Sequence, residues 1–178
     1  MRVFSFIYDL FLFYIKGGVE YARKKGVSVG SGCRIYIKSW GSEPFLISIG
    51  NKVTVTSGVK FLTHDGSTWL IHDENNERYQ KYAEINVGDN VFIGVNSIIM
   101  PGVSIGNNVV IGAGTVVTKD LPSDGVYVGV PAKRVGGFTE FSQRVKETCI
   151  SNSEIDSTPS TSYKARVMRA IELQKDKQ

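Results

Sequence analysis

A hydrophobic residue returns at every sixth position through the middle of the chain. The repeated positions are Val87, Ile93, Ile99, Ile105, Ile111 and Val117. Glycine directly follows four of them, and each is followed four residues later by a second small, β-branched or aliphatic side chain: Val91, Ser97, Val103, Val109, Thr115 and Leu121. Neither the period of an α-helix nor the alternation of a plain strand produces this pattern. A six-residue period predicts an all-β solenoid instead.

Each six-residue unit is expected to form one short strand with its aliphatic side chain inward, followed by a corner at glycine or asparagine. Three units complete a triangular coil, and coils stack through parallel-strand hydrogen bonds. The same repeat is less regular earlier in the chain, at Val29, Ile35, Ile49, Val55 and Phe61. Two insertions interrupt it: the segment KSWGSEPF, and a long polar loop over residues 62–86 that holds both histidines of the chain.

The repeat region is predicted to span residues 26–137, with helical segments on either side. Residues 1–25 predict an amphipathic helix whose apolar face comprises Phe4, Ile7, Tyr8, Phe11, Tyr14, Ile15 and Val19. Its apolar run is broken by Asp9 and ends at Lys16, too short for a membrane span of about 20 residues. Two alternatives stay open for this helix: packing on the domain, or peripheral contact with a membrane surface.

Residues 138–178 predict a helical tail. The segment GFTEFSQRVKETC favours a short helix, SNSEIDSTPSTS a polar linker, and YKARVMRAIELQKDKQ a charged terminal helix. A helix over the last coil would cover an otherwise open strand edge, so we expect the tail to act as a cap.

Composition narrows the classes of protein. The chain has 178 residues, is 42% hydrophobic and carries a net charge of +4, which fits one soluble domain. Cys33 and Cys149 lie far apart without metal-binding spacing, so a reducing, cytoplasmic location is expected. The net positive charge alone is compatible with several kinds of anionic ligand. Because no nucleic-acid-binding motif accompanies this charge, we expect no nucleic-acid partner.

The repeats, together with SEPFLISIG, FLTHDG, IGAGTVVTKDLP and VGVPAKRV, resemble the hexapeptide-repeat acyltransferases. Within that family the chain is most similar to the sugar and polysaccharide O-acetyltransferases, relatives of galactoside and xenobiotic acetyltransferases. The resemblance implies a left-handed parallel β-helix, a homotrimer, and an acetyl-CoA site in the groove between subunits. The left hand comes from the resemblance alone, because the general rule for parallel crossovers favours the right hand.

His64 stands where the family has a catalytic histidine, at the root of the long loop. The resemblance implies that His64 is the general base: it accepts the proton of an acceptor hydroxyl and returns it to the departing thiolate. Imidazole suits this exchange because its pKa lies near neutrality. A second group is expected to fix its tautomer, and both Glu43 and Asp65 are candidates. Either carboxylate could instead bind the acceptor.

The loop also allows other interpretations. His72 matches no motif position, so it is interpreted as a loop residue that could touch the acceptor. The dipeptide His-Asp occurs twice, as in some metal sites, but further ligands are lacking and no metal is expected. Trp69, Tyr79 and Tyr82 could stack on a sugar ring or anchor the loop.

The resemblance also marks residues for acetyl-CoA. Thr118 and Lys119 stand where the family contacts the nucleotide, and Lys133 and Arg134 stand where it places further basic residues. Val95 and Ala113 match positions whose backbone groups hold the pantetheine arm, and the Val95 N–H is a candidate oxyanion donor. Phosphates of coenzyme A require such cations and N–H groups.

The predicted function is therefore acetyl-CoA-dependent O-acetylation of a sugar or polysaccharide precursor. The sequence leaves two alternatives open. The same machinery could acetylate an amine, on an amino-sugar nucleotide or an antibiotic-type acceptor. A non-catalytic β-solenoid could instead act as a scaffold or binding module.

Overall fold

The computed structural model describes residues 9, 11–155, 162–175 and 177. These residues divide into two compact units, one ending at Gly136 and the other beginning at Gly137. The first unit carries nearly all of the β-structure. Its strands, each two to five residues long, are β1 Ser28–Val29, β2 Arg34–Ile35, β3 Ile47–Ile49, β4 Thr54–Val55, β5 Lys60–Phe61, β6 Ile85–Val87, β7 Val91–Ile93, β8 Ile98–Ile99, β9 Ser104–Ile105, β10 Val109–Ile111, β11 Val116–Val117, β12 Gly125–Val128 and β13 Lys133–Gly137.

The strands form three sheets that the chain visits in rotation. Their orders are β1-β3-β6-β9, β13-β12-β10-β7-β4-β2, and β11-β8-β5. The pairings from β1 through β12 are parallel. From β3 to β11 each circuit contributes one strand to every sheet, so the chain winds as the three-sided parallel coil that the six-residue repeat predicts.

Strand register shows how the insertions are accommodated. In the regular part Ser104 lies opposite Asn86, 18 residues earlier, which corresponds to three six-residue units. The offset grows to 38 residues where Asn86 lies opposite Ser48, because the long loop leaves and rejoins the coil between them. The extra residues therefore project outward without disturbing the register of the sheets.

The core consists of the inward positions of the repeat. All six repeated aliphatic residues are buried, and so are the six side chains four residues after them, which confirms the predicted inward set. Glycines let neighbouring coils approach closely at the corners. A Cβ added to Gly94 would lie 2.5 Å from the backbone nitrogen of Ala113 in the next coil, so a larger residue there would force the coils apart.

The described part of the N-terminal segment differs from the predicted continuous helix. A π-helical turn, Leu12–Lys16, is separated from helix α1, Gly18–Lys25, by Gly17, whose φ is 89°. Leu12, Phe13 and Val19 pack on the core, whereas Phe11, Tyr14 and Ile15, which belong to the predicted apolar face, are exposed. The break at Gly17 and the wider π-turn change the helical register. Phe4, Ile7 and Tyr8 lie outside the described residues.

The second unit is helical: α2 spans Phe138–Thr148, α3 Asn152–Ile155 and α4 Tyr163–Lys175. The short helix α3 falls inside the segment predicted as linker. That the tail caps the last coil stays a prediction. Among the described residues, none of the helices combines the length and hydropathy that crossing a bilayer requires.

Candidate active site

The long loop is an antiparallel arm. Residues 62–84, here called the hairpin arm, leave the coil after β5 and return at β6, two residues earlier than the predicted end of the loop. His64 pairs with Tyr82 at the root and His72 pairs with Arg78 nearer the tip. The Asp65 N–H donates to the Lys81 carbonyl at 3.1 Å. His72 is thus a member of the paired arm and not merely a residue of an irregular loop.

A tight turn closes the hairpin arm. The carboxylate of Asp73 accepts hydrogen bonds from the backbone N–H groups of Asn75, at 2.9 Å, and Glu77, at 2.8 Å. Asn76 adopts a left-handed conformation with φ 61°, which asparagine tolerates well. These polar residues define the reversal that brings the return strand alongside His64.

At the root of the arm, His64 contacts Glu43 from the earlier insertion. The Nδ1 atom of His64 lies 2.8 Å from Oε2 of Glu43, and the Thr63 hydroxyl donates to the same oxygen at 2.6 Å. The His64 side chain is 45% exposed and the Glu43 side chain 16%. The carboxylate is thus nearly enclosed while the imidazole stays open to solvent.

Local packing holds Glu43 in this place. Trp40 is buried and stacks on Phe61, with ring centroids 5.4 Å apart. Gly41 turns the chain with φ 76°, and a Cβ there would meet the Phe61 carbonyl at 3.4 Å. Pro44 then begins a 3-10 turn, Pro44–Leu46, that leads into β3. The insertion is therefore fixed against the residues from which the arm departs.

The electrostatic environment of Glu43 favours its ionised form. The hydrogen bond from Thr63, followed by the one with His64, lowers the pKa of the Glu43 carboxyl below its ordinary value. A carboxylate at Nδ1 favours the imidazole tautomer with its proton on that nitrogen. The Nε2 lone pair is then free to accept a proton from another molecule.

Asp65, the other candidate partner, serves the arm itself. Its carboxylate accepts hydrogen bonds from the Ser67 N–H at 3.0 Å and the Ser67 hydroxyl at 2.6 Å, and it lies 4.0 Å from Lys81 Nζ. Ser67 is the main cause of its lowered pKa. Within the described part of the chain Asp65 makes no hydrogen bond to His64, so the structure brings Glu43 and not Asp65 to the ring.

Two hollows meet at His64. Both are lined by His64, Asp65, Gly66 and Lys81. The arm hollow, about 190 Å³, continues along Glu43, Trp69, Arg78, Gln80 and Tyr82. The coil hollow, about 360 Å³, continues along Leu62, Met100, Pro101 and Thr118. A base between two adjacent hollows could act on two different molecules.

The residues marked for acetyl-CoA are only partly assembled within one chain. Thr118 lines the coil hollow, whereas the linings of the two hollows do not include Val95, Ala113, Lys119, Lys133 or Arg134. The Val95 carbonyl accepts from the Gly114 N–H at 2.7 Å, which stacks the two backbone segments. Arg134 donates to the Asp124 carbonyl at 3.1 Å, while Lys133 is exposed.

Four further residues of the site were missed in the sequence: Thr63, Arg78, Gln80 and Lys81. Thr63 directly precedes His64, and its burial beneath the arm could have been inferred from the strand before it. The others depend on the pairing of the arm, which no period in the sequence indicates. In the part of the chain that the structure describes, no three His, Cys, Asp or Glu residues are grouped so as to hold a metal ion.

Comparisons with known proteins agree on one family. Residues 84–119 match the family model described as hexapeptide repeat of succinyl-transferase. Protein CapG of Staphylococcus aureus is 48% identical over 128 residues, covering 70% of this chain and 74% of that protein. Galactoside O-acetyltransferase of Escherichia coli (strain K12) is 34% identical over 117 residues, covering 65% of this chain and 55% of that protein.

A solved structure shows the same relationship. Galactoside acetyltransferase in complex with coenzyme A superposes with a TM-score of 0.56 at 25% identity, covering 78% of this chain and 77% of that one. The sequence match therefore spans about half the length of the Escherichia coli relative. The structural match spans a larger share, 77%, of the solved galactoside acetyltransferase chain.

Proposed function

The chain belongs to the hexapeptide-repeat acetyltransferase family, and on that premise we propose that it moves an acetyl group from acetyl-CoA to a hydroxyl of a sugar or polysaccharide precursor. One observation carries the proposal. His64 lies where two hollows meet, with Nδ1 held by Glu43 and its ring partly open to solvent. One base then serves both a donor and an acceptor.

The geometry supports a direct transfer. With the Nδ1 proton directed at Glu43, His64 Nε2 accepts the proton of the acceptor hydroxyl as that oxygen attacks the thioester carbonyl. Glu43 stabilises the positive charge that the ring acquires. When the carbon–sulfur bond of the tetrahedral intermediate breaks, the imidazolium returns the proton to sulfur, and the products are an O-acetyl ester and free coenzyme A.

The two hollows would divide the substrates between them. We assign the coil hollow, with Thr118, to the thioester end of acetyl-CoA, and the arm hollow to the acceptor. Backbone groups of Val95 and Ala113 would bind the pantetheine arm, and the Val95 N–H would bind the oxyanion. Lys119, Lys133 and Arg134 would contact the phosphates.

A homotrimer would complete this site. Most of the residues assigned to acetyl-CoA lie outside the two hollows of a single chain, so we propose that acetyl-CoA binds in the groove between neighbouring subunits. We also propose that the β-helix of each subunit is left-handed, as in the family. We further propose a cytoplasmic location for the enzyme; for residues 1–25, peripheral contact with a membrane surface is the alternative to packing on the domain. Cross-linking with mass analysis would test the trimer independently of activity.

The proposed reaction is tested by thiol release. The protein is incubated with acetyl-CoA and a panel of hydroxyl and amino sugars, and free coenzyme A is measured. After residual acetyl-CoA has been removed, ester products are cleaved by hydroxylamine at alkaline pH, whereas amides resist it. Acceptor-dependent thiol release with a hydroxylamine-labile product is expected. An amide product would replace O-acetylation by N-acetylation, and the absence of release with every acceptor would contradict the proposed function.

A further inference from the structure

Arg78 lines the arm hollow and contacts Trp69 and Gln80 there. Its guanidinium carbon lies 4.9 Å from the centre of the Trp69 ring, in a cation–π arrangement. In the amide orientation that satisfies both neighbours, the Gln80 oxygen accepts from Arg78 Nε at 3.0 Å and Nη2 at 3.1 Å, while its nitrogen faces the Tyr82 hydroxyl at 2.9 Å. The aromatic face and the amide together fix the plane of the guanidinium.

The charge of Arg78 is not neutralised locally. The two carboxylates of the same hollow have other partners: Glu43 with Thr63 and His64, and Asp65 with Ser67. The ion pairs formed by the described residues do not include Arg78. Because Gln80 engages only Nε and one N–H of Nη2, the Nη1 edge keeps its donors for another molecule.

This arrangement changes the role expected for Trp69. A neutral sugar ring binds by stacking on an open aromatic face, but the guanidinium covers one face of Trp69. The indole therefore supports a cation at this face. A guanidinium that is already oriented loses little conformational freedom on binding, and its planar donors match the oxygens of a carboxylate or phosphate.

We infer that the acceptor is an anionic sugar, whose carboxylate or phosphate is bound by Arg78 while its reacting hydroxyl lies at His64. Lys81 lines both hollows but lies 4.0 Å from the Asp65 carboxylate, so the inference rests on Arg78 alone. The inference rests on the proposed function for the hydroxyl, but the binding of the anion can be measured separately. A purely structural stack that braces the arm is the competing explanation.

Binding and turnover are therefore measured in parallel. The probes are the methyl glycosides of glucuronic and galacturonic acid with their uncharged methyl esters, and the 6-phosphates of glucose and galactose with the free sugars. Calorimetry gives affinities without acetyl-CoA, and thiol release gives kcat/KM. We expect at least one acid or phosphate to bind about 10-fold more tightly than its uncharged counterpart, and Arg78→Gln to remove that preference.

Matched variants separate recognition from bracing. Arg78→Lys retains the positive charge but lacks the planar guanidinium with its paired N–H donors, so part of the preference for charged over uncharged sugars should remain. Arg144, which lies over Phe141 in α2, is a second arginine–aromatic stack, and Arg144→Gln should leave the preference intact. Melting temperatures of all variants are compared. If Arg78→Gln lowers the melting temperature but weakens charged and uncharged probes equally, the stack is structural and the inference is wrong.

The two proposals fail in different ways. An anion preference that depends on Arg78, without thiol release, would support the inference and contradict the transferase. Thiol release that is equal for charged and uncharged sugars would support the transferase and overturn the inference. The probe class that shows the preference distinguishes a carboxylate from a phosphate acceptor.

Discussion

His64 Nδ1 lies 2.8 Å from Glu43 Oε2, although 21 residues of chain separate them. Thr63, whose hydroxyl binds the same oxygen, is 20 residues from Glu43. The same offset relates Arg34 to Thr54, which are opposed in β2 and β4. One circuit of the coil thus returns the chain to the earlier insertion, so the scaffold itself positions the pair.

Removing the charge of Glu43 is expected to impair catalysis. In Glu43→Gln the ring loses the carboxylate that fixes its tautomer and stabilises its protonated form, so kcat/KM should fall about 10–100-fold. Asp65→Asn is the matched control, since Asp65 contacts Ser67 instead. An equal loss in both variants would contradict the assigned role of Glu43.

Thr63 is expected to control the ionisation of Glu43. Because its hydroxyl is the main cause of the lowered Glu43 pKa, Thr63→Ala should raise that pKa toward its ordinary value, whereas Thr63→Ser should keep it low. The stability linked to this carboxylate is complete above its ordinary pKa and is lost as the pH falls through the lowered value. Carbon-13 NMR titration of the side-chain carboxyl measures the shift. An unchanged value in Thr63→Ala would refute the prediction.

Gly41 is expected to be required for the position of Glu43. Gly41→Ala places a Cβ at φ 76°, at an estimated cost of about 1 kcal/mol in unfolding free energy, and against the Phe61 carbonyl. Gly32→Ala is the control, because Gly32 also has a left-handed φ, of 67°, but lies against Lys52. Chemical denaturation should show similar losses of stability, while only Gly41→Ala should lower kcat. A normal kcat in Gly41→Ala would show that the turn does not position the site.

Lys133 is expected to contribute to coenzyme A binding. Its substitution by glutamate should weaken coenzyme A roughly 5–10-fold, with a smaller effect at high salt, because an exposed cation would be replaced by a charge that repels the phosphates. Lys175→Glu makes the same change in net charge on helix α4. Calorimetric titration of both variants tests the assignment, and equal affinities would count against it.

The sequence predicted the regular parts of the fold well, for a physical reason. Ile99 and Ile111 are both buried in the interior of the coil, and hydrophobic residues recur at this spacing because each such position points inward. The spacing in the sequence therefore predicts which residues are buried. The insertion KSWGSEPF, which interrupts the repeat before His64, supplied Glu43 as one of the two candidate partners of the imidazole. Within the N-terminal segment the pattern misled, because Gly17 breaks the helix that the apolar spacing suggested.

The hairpin arm could not be predicted in the same way. Its form depends on the Asp73 turn and on contacts between Trp69, Arg78 and Gln80, which follow no period. Asp65 stood beside His64 in the sequence and was an equal candidate, but a short-range bond to Ser67 engages its carboxylate. Whether the Asp65 carboxylate binds Ser67 or His64 depends on side-chain geometry, which cannot be read from a single sequence.

The most direct test of the account is acceptor-dependent turnover of acetyl-CoA by His64→Ala. His64 is partly exposed, so the substitution should leave the melting temperature and coenzyme A affinity almost unchanged. Without the base, kcat should fall about 10²–10⁴-fold. Turnover equal to that of the unsubstituted protein, at the same pH and with the same acceptor, would contradict the claim that this imidazole transfers the proton.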